Sequence, residues 1–295
     1  MEERRRAFLR KNLRGNKAKW GMAGGIALSL FEGASISSWR LAVWGIALTA
    51  VVVYVVAYMN AHRRAQTEFF SALAPQLGLT YTPRNSYPPM TPLLAAGDRQ
   101  RFEHTMVGTL FRDFKEPLCM LGHYTYDTAY EYEEVTLHKP ARRFTACVID
   151  IGMPIWRYRG LYLRPRISGL GLEHDWLARA PKPEAIKLES TTFNELYDLR
   201  RSSDQDQSAV RELFSPSFLV WLNDHPLRPG FECKAGTLVV FTQGHLDESG
   251  KWEMLLDAAR EITRRLAQQV DEGGSGGEPP PWLKGHFSAA GQTIR

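Results

Sequence analysis

"RLAVWGIALTAVVVYVVAYMNAHRR", residues 40–64, decides how this chain is built. Within it, Leu41 to Met59 is a 19-residue run without a charged side chain. At about 1.5 Å per residue a helix of that length reaches roughly 28 Å, close to the hydrocarbon thickness of a bilayer. A soluble core helix this long ordinarily carries a polar stripe, and this run has none. The segment therefore predicts a transmembrane helix, with Trp39, Trp44, Tyr54 and Tyr58 partly placed for interfacial belts.

Working upstream, "WGMAGGIALSLFEGASISS" (residues 20–38) is a weaker apolar stretch, Gly-rich and interrupted by Glu32. A short first span (residues 20–37), a turn through "GASISS" and the strong span (residues 41–59) would form a membrane hairpin; an interfacial segment is the alternative. The choice sets topology. With one span, nine basic residues precede it and Arg63 and Arg64 follow, so the positive-inside rule sends the body outside. With two, the tail and the His62-Arg63-Arg64 cluster are both cytoplasmic and only Arg40 opposes. The hairpin with a cytoplasmic body is the expected arrangement. A cleaved signal peptide fits poorly, because the apolar run continues into a second, stronger one.

Charge follows the same division. The first 20 residues hold eight Lys or Arg against Glu2 and Glu3, +6 of a chain total of +5, which leaves −1 for the other 275. The basicity thus belongs to a tail (residues 1–19) suited to anionic lipid headgroups rather than to a nucleic-acid groove. Cys119, Cys147 and Cys233 cannot all pair with one another and show no CxxC spacing, which favours a reducing compartment.

Beyond the span, Phe69, Phe70, Leu73 and Leu77 continue a helical pattern to Pro75 and Gly78. "TYTPRNSYPPMTPLL" (residues 80–94) reads as an irregular connection. From about Phe102 to Arg166 the period becomes two. "HYTYDTAYEYEEVTL" predicts half-buried antiparallel strands, "RRFTACVIDIGM" a central strand, and "WRYRGLYLRPR" a further one. "EAIKLES" and "FNELYDLRR" also read as strands. "SPSFLVWLNDH" has Ser215 as N-cap and Pro216 at the first helical position, and "FECKAGTLVVFTQG" is a hairpin about Ala235 and Gly236. The final helix, Trp252 to Val270, shows one apolar face through Leu255, Leu256, Ala259, Ile262 and Leu266. Residues 272–295, beginning "EGGSGGEPPP", predict a disordered tail. The expected fold class is α+β: a transmembrane helical hairpin, then a mostly antiparallel sheet domain (residues 61–271) with a C-terminal packing helix.

Chemistry is sparse. The chain has no GxxxxGK[ST] or HExxH motif and no paired CxxC, so neither catalytic residues nor a cofactor or metal are assigned. Cys119 and His123, with His104 or His138 approaching, suggest a metal site, but along a strand positions 119 and 123 lie about 13 Å apart. Glu173, His174 and Asp175 in "GLEHDWLARAP" point in different directions on a helix, and acids there suit its dipole. Glu32 near the membrane can reach water from the end of a short span. The strongest candidate is the basic stretch 139–166. Lys139, Arg142, Arg143, Arg157, Arg159, Arg164 and Arg166 face Asp150 alone and are interleaved with Trp156, Tyr158 and Tyr162. Guanidinium forks grip phosphate, so Arg142, Arg143, Arg157, Arg159, Arg164 and Arg166 are the candidate lipid- or phosphate-binding residues, with membrane phosphates ahead of RNA.

The order of parts, carried by "EFFSALAPQLGLTYTP", "FEHTMVGTLFRDF", "FTACVIDIG", "FNELYDLRR" and "AVRELFSPSFLVWL", resembles a bacterial membrane-anchored family known as domain of unknown function 3137. The resemblance covers most of residues 20 to 270 by pattern. It implies a cytoplasm-facing domain without agreed catalytic residues and a membrane-protein partner of LemA type. The expected function is a non-catalytic binding or scaffold domain that engages such a partner or anionic lipid. The alternatives are a membrane-tethered hydrolase or transferase and an accessory subunit of an envelope transport or assembly complex.

Overall fold

The computed structural model describes residues 6, 8, 39–111, 117–132, 135–138, 141–151, 158–166, 183–234 and 236–272. The chain divides into two compact units, Met1–Leu73 and Ala74–Arg295. Helix α1, Trp39–Leu77, runs unbroken for 39 residues, about 58 Å. Between Val43 and Met59 it carries nine of the thirteen large exposed hydrophobic side chains among the described residues, Trp44 at 74% and Leu48 at 66% among them. Water disfavours so much contiguous apolar surface, at about 25 cal/mol per Å². The helix is long and apolar enough to cross a membrane, and Thr49 satisfies its hydroxyl internally by donating to the Gly45 carbonyl at 2.8 Å. Pro75 lies in its last turn and Gly78, at φ 77°, ends it, as the sequence predicts. The expected first arm of the hairpin (residues 20–37) lies outside the described residues, as do residues 273–295.

The second unit is α+β. Among the described residues nine strands form one sheet in the order β1-β2-β3-β6-β11-β10-β7-β9-β8, with antiparallel pairing throughout. They are β1 Thr80–Asn85, β2 Arg99–Thr109, β3 Leu118–Asp127, β6 Arg142–Asp150, β7 Leu161–Pro165, β8 Glu184–Ile186, β9 Tyr197–Arg201, β10 Gly230–Lys234 and β11 Thr237–Gln243. β4 Ala129–Tyr132 and β5 Val135–His138 form a separate two-stranded ribbon. The hairpin β10–β11 fills the gap between β6 and β7, closing through Gly236 at φ 80°, so the last strands of the chain sit at the middle of the sheet.

Parity along the register divides the side chains between two faces. Leu121, His123, Cys147, Val240 and Phe231 lie on one, the helical face. There α5, Ser249–Glu272, packs on β11 and β6, with α3, Gln207–Leu213, beside it. α2, Thr191–Leu196, packs on β9 and on α4, Pro216–Asp224. Trp252, Leu255, Leu256, Ala259, Ile262 and Leu266 are all buried, the apolar face read from their 3.6-residue spacing. On the other face Met120, Tyr124, Ala146, Val148, Val239 and Phe241 form a core closed by Leu93, Leu94 and Ala96 from the irregular segment after β1.

Three expectations are corrected. Residues 80–85 are an edge strand rather than an irregular connection; Pro83 is tolerated because it has no partner strand to serve on its outer side. "FNELYDLRR" begins as helix α2, since Ser190 caps it by accepting the Phe193 N–H at 3.3 Å, and becomes strand only at Tyr197. β3 is buried at eight consecutive positions, Cys119 to Tyr126, because both faces are covered; its tyrosines and threonines mimic the alternation of a half-exposed strand.

The β2–β3 pairing contains a bulge between Glu103 and Met106, where His104 adopts φ 53°. Gly122 faces it, and a Cβ there would lie 2.8 Å from Thr105 Cγ2 and 3.2 Å from Thr105 Cα. A backbone neighbour cannot rotate away, so Gly122→Val should destabilise the full chain in neutral micelles by about 2 kcal/mol or more. A loss below roughly 0.5 kcal/mol in denaturant unfolding, the range of neutral surface changes, would contradict this packing.

Candidate functional site

Three polar groupings stand out, two buried and one open. On the helical face His123 stacks on His245 with ring centroids 4.1 Å apart, and Trp252 tilts against it at 5.0 Å. His123 Nε2 lies 3.1 Å from the Leu246 carbonyl, which only accepts, so this nitrogen carries the proton. Trp252 Nε1–H donates to the same oxygen at 3.1 Å. Thr125 Oγ1 contacts His245 Nε2 at 3.1 Å, and His104 hydrogen-bonds the Tyr81 hydroxyl through Nδ1 at 2.9 Å. Burial, then the neighbouring His245, pushes the His123 pKa down to about 3. Burial and Arg143 lower His245 as well. His123 and His245 are neutral, packed imidazoles.

Cys119 and His123 do not combine into a site, in keeping with their spacing along the strand: Cys119 hydrogen-bonds Cys147, which, with burial, raises the Cys147 thiol well above its ordinary range. Among the described residues no group of three or more His, Cys, Asp or Glu is placed to hold a metal ion. Glu32, Arg157 and the Glu173–His174–Asp175 cluster lie outside those residues, and the side chain of His138 is not among those described.

On the opposite face Glu232, in the middle of β10, is fully buried. Its Oε2 accepts the Leu93 N–H at 2.8 Å, fastening the irregular segment to the sheet. Burial pushes its pKa up to about 7, against the pull of Arg164, the Leu93 amide and the Thr91 hydroxyl. Arg164, one strand away on β7 and 7% exposed, has its pKa lowered to about 9 by burial, opposed by Glu232 and Asp198. It therefore stays charged at neutral pH. The one signal for this pair in the sequence is a lone carboxylate between Phe231 and Cys233 in an apolar hairpin.

The six candidate arginines separate. Arg142 and Arg143 open β6 on opposite faces, and Arg166 follows β7 at the same end of the sheet, its Nε donating to the Tyr197 carbonyl at 3.0 Å. Three strand spacings, roughly 14 Å, lie between β6 and β7. Arg164 is committed to the interior. Arg159 sits at the other end of β7, its N–H donating to Gln205 Oε1 at 2.7 Å. The basic end gains Arg228, Thr242 and Gln243, which the linear charge count cannot supply because they come from the turn before β10 and the end of β11. With Arg166 they line a cavity of about 470 Å³. A second cavity of about 350 Å³ places Lys187 and Arg211 beside Glu189, a mixed lining.

A scan against protein-family models and a search of curated proteins both find no match. Among solved structures the chain is similar to the crystal structure of the mycobacterial trehalose monomycolate transport factor A, TtfA, at 11% sequence identity and a TM-score of 0.47, over 69% of this chain and 95% of that one. A likeness at that level carries no functional inference.

The two buried groups titrate in opposite senses. His123 holds a folded pKa near 3 against an unfolded 6.5, so the unfolded chain binds the extra proton and stability falls as pH drops from about 6.5 towards 3. Glu232 holds about 7 against 4.5, so the folded chain binds the extra proton and stability falls as pH rises from about 4.5 to 7. Each contributes a slope of up to about 1.4 kcal/mol per pH unit, and the slopes oppose each other between about 4.5 and 6.5. Denaturation of the full chain in neutral micelles should show wild type gaining on His123→Gln, and Glu232→Gln gaining on wild type, as pH rises through that window. Parallel pH profiles would contradict the burial of these groups.

Proposed function

We propose that this chain is a membrane-anchored binding protein without a catalytic site, whose sheet domain engages an anionic group through the end where Arg142, Arg143 and Arg166 emerge. Their shared end is the observation that carries the reading: guanidinium groups remote in sequence are delivered to one end of the sheet, while the other two polar groupings are buried. His123 and His245 are packed and neutral, and Glu232 is used to hold the fold; neither grouping lines either of the two cavities described above.

A basic surface on a chain with a crossing helix matches the phosphates of anionic lipid, which attract clustered Lys and Arg. In this reading the body faces the cytoplasm and the anchor is a two-span hairpin. The basic tail supports this, and the three cysteines, buried as free thiols, fit a reducing compartment.

Because the natural thiols are buried, orientation is tested with a cysteine introduced at Glu248, 66% exposed. An impermeant maleimide should label it only after lysis; labelling in intact cells would place the body outside. For the ligand, the full chain in dodecylmaltoside micelles should respond saturably in its Trp fluorescence to added dihexanoyl phosphatidylglycerol, less so at high salt. Arg142→Glu with Arg143→Glu should weaken the response about tenfold, and an unchanged titration would remove this end as the binding surface.

A further inference from the structure

We propose that the cavity at the basic end of the sheet, between the end of β7, the end of β11 and the turn before β10, is a pocket for a phosphate-bearing group, gripped by Arg166 and Arg228. The proposal deepens the reading above and rests on it. At about 470 Å³ the cavity falls within the size of small-molecule sites, and a glycerol phosphate or a similar headgroup fits such a volume. Its polar lining is Arg166, Arg228, Thr242 and Gln243, and its walls are Pro165, Pro226 and Leu227. Two guanidinium groups, two neutral hydrogen-bonding side chains and no carboxylate among the described lining residues make a lining for an anion, and Arg supplies the planar fork that matches phosphate oxygens. The second cavity, where Glu189 faces Lys187 and Arg211, lacks that one-sided charge.

The backbone gives an independent indication. Arg228 adopts φ 44°, a left-handed conformation that glycine takes freely and a long side chain takes at a cost. The turn holds it there. The Arg228 N–H donates to the His225 carbonyl at 3.0 Å, and the Leu227 N–H donates to His225 Nδ1 at 3.2 Å. Thr242 Oγ1 donates to the Leu227 carbonyl at 3.1 Å, fixing the turn to β11. Strained backbone held in place by surrounding hydrogen bonds clusters at ligand-binding positions. Here it sets a cation in the lining of a cavity with no carboxylate among its described lining residues. Arg166, the other arginine of the lining, is positioned by its bond to the Tyr197 carbonyl and by a loose 3.9 Å contact with Asp198, which leaves donors on its guanidinium for a ligand.

The test uses the full chain in phosphatidylcholine nanodiscs, titrated calorimetrically with inorganic phosphate and, separately, with dihexanoyl phosphatidylglycerol. Saturable binding of at least one probe is expected, weakened about tenfold or more by Arg166→Gln or Arg228→Gln and unchanged by Arg159→Gln at the far end of the sheet. Arg228→Gly should lose binding to the same degree while its thermal midpoint holds or rises, which separates a ligand contact from a fold defect. Tighter binding of the phosphodiester headgroup identifies a lipid as the source of the phosphate, and tighter binding of free phosphate identifies a soluble ligand. Binding that persists in Arg166→Gln and Arg228→Gln but is lost in Arg142→Glu/Arg143→Glu would overturn the pocket and leave the basic end standing. Failure of the wild-type chain to bind either probe would overturn both.

Discussion

A 2.8 Å hydrogen bond from the Leu93 backbone to the Glu232 carboxylate joins the two ends of the body's sequence across one face of the sheet. The middle strands β3, β6, β11 and β10 are buried on both sides, so each face needs a cover. The helices supply one. The other is closed by Leu93, Leu94 and Ala96, an irregular segment with few backbone hydrogen bonds of its own to hold it down. Tyr124 assists by donating its hydroxyl to the Leu93 and Leu94 carbonyls at 3.0 and 3.2 Å. Donors and acceptors that would be costly orphans in an apolar core become the fastening.

That arrangement sorts the charges. Arg164 is drawn into the interior beside Glu232, and its neighbour two residues on, Arg166, emerges at the end of the same strand. Period-two geometry sends both to the same face of the chain, and strand length alone decides that one is structural and the other meets solvent. At the opposite end of β7, Arg159 and Gly160 are tied by their N–H groups to the Gln205 side chain. The guanidinium groups of Arg142, Arg143 and Arg166 stand where β6 begins and β7 ends, and the turn before β10 adds Arg228 to them.

Much of the fold was legible in residues. The charge-free run 41–59, the Pro75–Gly78 stop, the β10–β11 hairpin and the apolar face of α5 each follow from a local pattern that the tertiary structure respects. Where local pattern failed, a neighbour distant in sequence intervened. Thr80–Asn85 becomes a strand because β2 offers it an edge, and β3 is buried on both faces because Leu93 and Trp252 arrive from either side. The basic stretch 139–166 was visible as composition, yet composition could not say that Arg142, Arg143 and Arg166 share an end while Arg159 does not, since that depends on two strands inserted between β6 and β7. Arg228, Thr242 and Gln243 carried no linear signal, because a cavity lining assembled from three connections has no spacing to read.

Engagement of an anionic group at one end of the sheet is most directly tested by hydrogen exchange on the full chain in phosphatidylcholine nanodiscs, with and without saturating dihexanoyl phosphatidylglycerol. Slower exchange confined to the amides of residues 142–145, 166, 225–230 and 242–245 is the expected result. Protection at residues 159–160 and 202–205 instead, or no difference anywhere in the sheet domain, would contradict it.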